Sequence, residues 1–123
     1  MTRLFMIKPS KKIRARFYQT SKGKAPVREW LLKLDVEDRK IVGKNIQKVE
    51  FGWPLGMPYS RPLGQGLYEV RSDITDQRIA RVIFLIKAKE MVLLHGFVKK
   101  AQKTPKPDLD LALKRKKQVE KND

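Results

Sequence analysis

Cysteine is absent from the sequence and histidine occurs once. The first absence removes disulfides, thiolate metal ligands and a cysteine nucleophile, and it fits a reducing compartment. The second removes the histidine set of a structural zinc site. No apolar run approaches the ~20 residues of a membrane-spanning helix, and the cluster Leu4 to Ile7 is too short for a signal-peptide core. A cytoplasmic protein with no membrane partner is expected. Glycine-rich phosphate loops and a local serine triad are missing too. Glu69, Asp73, Asp76 and Glu90 read as turn and surface charges, without the spacing of metal ligands, so a two-metal nuclease is not expected, nor is any cofactor. Acids are scarce: thirteen Asp and Glu stand against twenty-nine Lys and Arg, a formal net charge of +16 in 123 residues. Residues 1 to 28 hold nine cations and no acid, whereas 29 to 66 is nearly balanced. So basic a domain points to nucleic acid, an anionic surface or an acidic protein partner.

What is present reads as one α+β domain over residues 1–123. Residues 1–11 form a basic lead-in without periodicity. Ile13, Ala15 and Phe17 then alternate with Arg14, Arg16 and Tyr18, as in a half-buried strand with a basic outer face. Pro26 suits the first turn of a helix carrying Val27, Trp30, Leu31 and Leu34 on one stripe. Asp35 can cap a second helix that buries Val42, Ile46 and Val49 and stops at Gly52 and Pro54. The segment 52–66 holds four glycines and three prolines, so it reads as an exposed connection carrying Trp53, Tyr59 and Arg61. Those side chains can stack on nucleobases, but pinning the loop to the fold is the favoured reading. Three strands follow between Leu67 and Lys99, broken at Ser72 to Gln77 and at Lys87 to Glu90. Asp108 can cap a last helix burying Leu109, Ala112 and Leu113, with residues 116–123 as a frayed basic tail. The expected order is β-α-α-β-β-β-α, a small twisted antiparallel sheet with a helix hairpin packed on it.

Cations interrupt the apolar meander. Arg71, Arg78 and Arg81 occupy strand positions, and Lys99, Lys100 and Lys103 follow the last strand. If they converge, they make a site for a polyphosphate. Such a site can cleave RNA without metal, because the ribose 2′-OH is the nucleophile and fixed cations stabilise the charge growing on the phosphoryl oxygens. A lysine crowded by other cations can serve as acid or base. His95, the one histidine, is a candidate general acid or base, and a buried histidine bonded to a backbone carbonyl is at least as good a reading. Arg71 can instead form a structural ion pair with Glu69, two residues away on the same strand face.

GLYEVR at 66–71, the arginines of RIAR at 78–81 and LLHGFVKKAQKTP at 93–105 carry a resemblance. From Ile13 to Arg115 the chain resembles the RelE/HigB superfamily of toxin–antitoxin ribonucleases, in its phage-derived HigB-like branch. The resemblance implies the toxin of a type II toxin–antitoxin system. Its activity would be ribosome-dependent cleavage of mRNA in the A site, inhibiting translation. Its partners would be mRNA, ribosomal RNA and an antitoxin with a helix-turn-helix domain. By position, Arg78 would contact the scissile phosphate, Arg71 would be a second catalytic cation, and Lys99, Lys100 or Lys103 would add a phosphate contact or the acid. Arg81 stands where many relatives carry an aromatic residue. Together with Lys99, Arg61, Arg14 and Arg16 it is expected in RNA binding. Several relatives carry a tyrosine beyond the basic elbow, where this chain has Thr104 and Pro105. Two alternatives stand: a toxin of this fold that binds DNA gyrase, as in the ParE branch, and a non-catalytic phage-derived nucleic-acid-binding protein.

Overall fold

The fold comes from a computed structural model that describes residues 10–54, 59–99 and 103–122. Strand β1 (Arg14–Phe17) is followed by helices α1 (Pro26–Lys33) and α2 (Val36–Gly52). Four strands come next, β2 (Ser60–Gly64), β3 (Leu67–Ile74), β4 (Arg78–Lys87) and β5 (Glu90–Lys99). Helix α3 (Lys106–Asn122) ends the fold. The strands form one sheet in the order β1-β5-β4-β3-β2.

Two features depart from the expected order. The sheet is mixed, because β1 pairs parallel with β5 while the other pairs are antiparallel. A fifth strand, β2, lies inside the glycine- and proline-rich segment. Pro62 is tolerated there because β2 is an edge strand with only β3 to bond. Trp53 from the same segment packs edge-on against Tyr68 and Phe84, with ring centroids 4.9 and 5.8 Å away, so it pins the connection to the core.

Both faces of the sheet are covered. On one, Val70, Val82, Phe84 and Leu93 meet α1 and α2 through Val27, Val42, Ile46 and Val49. On the other, Leu67, Ile83, Leu85 and Leu94 meet α3 through Ala112 and Val119. Each such side chain contributes about 1.5–3 kcal/mol when fully buried. Cover on both sides explains the unbroken apolar run of β4, where alternation would have marked a solvated face. The basic outer face expected of β1 holds for exposed Arg14 and partly exposed Arg16, which donates its Nε to Glu90 at 2.8 Å, whereas Tyr18, just past the strand, is buried under α3. Helix α3 is helical to Asn122 and buries Val119, where fraying had been expected from residue 116.

Polar anchors join the layers. Arg39 donates to the carbonyls of Leu31, Leu32 and Leu34, each at 3.1 Å, which satisfies the open end of α1 and fixes the tight turn into α2. Asp35 occupies the N-cap of α2 without a side-chain cap bond. Asp38, one turn on, accepts from the Thr75 N–H at 3.0 Å, the Thr75 hydroxyl at 2.9 Å and Arg78 Nη2 at 2.7 Å. These bonds, the Thr75 N–H foremost, hold the Asp38 carboxyl below the usual carboxylate range against the opposing effect of burial. Its stabilisation is therefore complete above the unfolded value of 3.8 and is lost as the pH falls through the lower folded value. In Asp38→Asn the urea midpoint should fall less steeply between pH 5 and pH 2 (both roughly bracketing the carboxylate range) than in the wild type. Identical slopes would remove Asp38 from the acid limb.

Gly96 on β5 lies against the Trp30 ring; a Cβ there would sit less than 3.0 Å from three ring atoms. Gly96→Ala should lower stability by about 1–3 kcal/mol through overpacking, read as a lower thermal midpoint. A midpoint equal to the wild type would contradict this packing.

Candidate functional site on the sheet face near the start of α3

Register decides which charges meet. In β3 and β4, Leu67, Ile83 and Leu85 face α3, and so, by the alternation of strands, do Glu69, Arg71 and Arg81. Arg71 stands directly opposite Arg81, and Arg81 opposite Phe97. In the next row Glu69 lies between Arg61 and Ile83, with His95 beyond. Lys99 pairs with Ile79 on the other side of the arginine row. Strict alternation along β5 would put His95 with Leu93, under the helix hairpin. A register shift intervenes: Phe84 pairs with Leu93 but Ile83 with His95, so Leu94 is an extra residue. This bulge turns His95 to the α3 face, where its ring stacks on Phe97 at 5.3 Å.

Glu69 organises the cations. It is fully buried, not a surface charge, and accepts from Arg61 Nε at 2.8 Å, Arg81 Nη1 at 3.3 Å and the Thr104 hydroxyl at 2.9 Å. The ion pair considered between Glu69 and Arg71 does not form. Arg71 is half-buried, and no carboxylate meets its guanidinium among the described residues. Opposed arginines repel. Glu69 offsets that repulsion by drawing Arg81 to itself, which leaves the Arg71 charge available to a ligand.

His95 Nε2 lies 2.7 Å from Asp108 Oδ1, and both side chains are mostly buried. Asp108 therefore does not cap α3 as expected; it sits in the first turn and ties the helix to β5. A carboxylate at Nε2 favours the tautomer with its hydrogen there, which leaves Nδ1 as the acceptor nitrogen of the ring. Lys99 ends β5 exposed, and exposed Lys103 directly precedes Thr104 on Glu69. Lys100 lies outside the described residues.

The remaining expected residues are elsewhere. Arg78 is on the opposite face: its guanidinium donates to Asp38 Oδ2 at 2.7 Å, to the Thr75 hydroxyl at 3.0 Å and to the Thr75 carbonyl at 3.1 Å. It is not brought to Arg71. Arg81 is 0% exposed, so it supports the face from beneath instead of presenting a charge to RNA. Arg14, exposed, and Arg16 lie on β1, at the edge of the sheet away from Arg71. Arg61 adjoins the cluster through Glu69. Sequence reasoning missed Glu69 and Asp108. The alternation that puts Glu69 on one face with Arg71 and Arg81 was a usable signal for the first; nothing local links Asp108 to a histidine thirteen residues earlier.

A family model for phage-derived Gp49-like proteins (DUF891) matches residues 29–117. The chain belongs to that family. Gp49-like proteins are of the RelE/HigB toxin type and are associated with the toxins of toxin–antitoxin systems. No curated protein matches the chain. The part of this Gp49-like protein that matches runs from α1 into α3 and includes Glu69, Arg71, Arg81, His95, Lys99, Lys103 and Asp108. None of its described helices is long and apolar enough to cross a membrane. Among the described residues no three histidine, aspartate or glutamate side chains are grouped so as to hold a metal ion.

Proposed function

We propose that this Gp49-like protein is a toxin that cleaves mRNA on the ribosome and is neutralised by a cognate antitoxin with a helix-turn-helix domain. The observation that carries the reading is the shared face of Arg71 and the His95–Asp108 pair, with Lys99 at its rim. In the proposed step His95 Nδ1 takes the proton of the ribose 2′-OH, and the imidazolium that forms is held by Asp108. The 2′ oxygen attacks the adjacent phosphorus while Arg71 stabilises the negative charge on the phosphoryl oxygens. Lys99 or Lys103 gives a proton to the departing 5′ oxygen. The products are a 2′,3′-cyclic phosphate and a free 5′-hydroxyl. Arg78 has no part in this mechanism. Glu69 acts as a positioning residue, holding Arg61 and Arg81 in place below the reacting groups.

Primer extension on a reporter mRNA after brief induction tests the reading. Cuts phased to codons, abolished when translation is blocked and lost in His95→Ala, are expected. DNA damage without RNA cuts would replace the reading with gyrase inhibition, and neither effect would leave a binding protein.

A further inference from the structure

The cations ahead of Glu29 are not used by the site above. Two of them, Arg16 and Arg28, line a cleft of about 490 Å³ between the end of β1, the first turn of α1 and the last turns of α3. That volume falls in the range of ~300–1,000 Å³ usual for small-molecule sites. A second cavity of about 230 Å³ shares Tyr18, Thr20 and Gln118 with the first and adds Arg115. Among the described residues no acid lines either one.

Arg16 is already paired with Glu90, but the other two arginines beside the cleft meet no carboxylate among the described residues. Arg28 is exposed and has no ion-pair partner among the described residues. Arg115 donates to the Leu94 carbonyl at 2.7 Å and lies 5.5 Å from the Tyr18 ring centroid, again without a carboxylate. Burial pulls its pKa below the ordinary arginine value, against a smaller opposing effect of Tyr18. The Tyr18 hydroxyl donates to Gln118 Oε1, which leaves the Gln118 amide N–H groups as donors for another acceptor. Helix α1 opens at Ala25, on the cleft wall, with no side-chain cap over its first N–H groups. Phe17, half-buried and packed in part against the core under the helix hairpin, lines the same wall.

We propose that this cleft binds a nucleoside phosphate, with Arg28 on the phosphate and Phe17 beneath the base. An arginine fork suits phosphate oxygens, and a base stacks on an aromatic face whatever its sequence. The ligand is supplied either as a free nucleotide or as one nucleotide of an RNA strand. The site is separate from the Arg71 face: Asp108 and Gln118 are about 15 Å apart along α3. It stands whether or not the protein cleaves RNA.

The test is an NMR titration of the isotope-labelled full chain with inorganic phosphate, adenosine 5′-monophosphate and a 2′-O-methyl RNA tetranucleotide that cannot be cleaved. Saturable shifts at Thr20, Arg28 and Gln118 are expected with the mononucleotide, marking a free-nucleotide site, or with the tetranucleotide alone, marking a strand site. Arg28→Glu should weaken that binding at least about tenfold, and Arg28→Gln somewhat less; Arg28 is exposed, and an otherwise unchanged spectrum certifies the fold. No saturable shift with either nucleotide ligand, phosphate binding as tightly as the nucleotides, or full affinity in folded Arg28→Glu would each overturn the proposal.

Discussion

Arg71→Ala is expected to slow mRNA cleavage about 10²–10³-fold, the loss seen when one oxyanion-stabilising donor is removed from an active site. The protein should be no less stable for the change. No carboxylate holds Arg71 among the described residues, and its cross-strand neighbour is another arginine. Removing it relieves repulsion and leaves no group buried without a partner. Arg78→Ala should do the reverse. It strips the guanidinium from Asp38 and Thr75, lowers the melting temperature, and leaves the folded fraction able to cut. Equal loss of cleavage per folded molecule in both variants would return Arg78 to the mechanism.

Glu69→Ala should have the largest effect on the fold, a loss of about 3–5 kcal/mol and of roughly 10–20 °C in melting temperature. A single carboxylate at 0% exposure receives Arg61, Arg81 and Thr104. Without it the wholly buried Arg81 keeps its charge but loses the carboxylate that offsets it, and it stands opposite Arg71. The double change Glu69→Ala with Arg81→Met should recover much of the loss, since it removes the buried charge that the single change leaves unpaired. If the double variant is as unstable as Glu69→Ala alone, burial of the Arg81 charge is not the cause.

Helices α1 and α2 were legible because each signals its own ends, with Pro26 at the start of one and Gly52 at the stop of the other. The central strands were legible because their apolar density admits little else. Strand β2 was not, since Pro62 and Gly64 obey edge-strand rules that depend on a neighbour supplied only by the fold. The site was partly hidden for the same reason. Alternation alone puts Arg71 with Arg81, and the sequence reading placed Arg78 with them. Two residues in one strand that differ by an odd number, such as Arg78 and Arg81, face opposite ways, so the strand pattern itself separates them. The bulge at Leu94 had no local mark, and it is what moves His95 from the helix hairpin to Asp108. Basic character over the whole chain also masked the difference between a cation held by a carboxylate and one left to a ligand.

The most direct measurement places one 2′-deoxynucleotide at the mapped cut site of an mRNA translated in vitro with the purified protein. If the substrate's own 2′-OH is the nucleophile, cleavage there disappears, and the all-ribose control yields a 2′,3′-cyclic phosphate end. Cleavage persisting at the deoxy position, with a 5′-phosphate on the downstream fragment, would mean that water is the nucleophile and would contradict the mechanism assigned to Arg71 and His95.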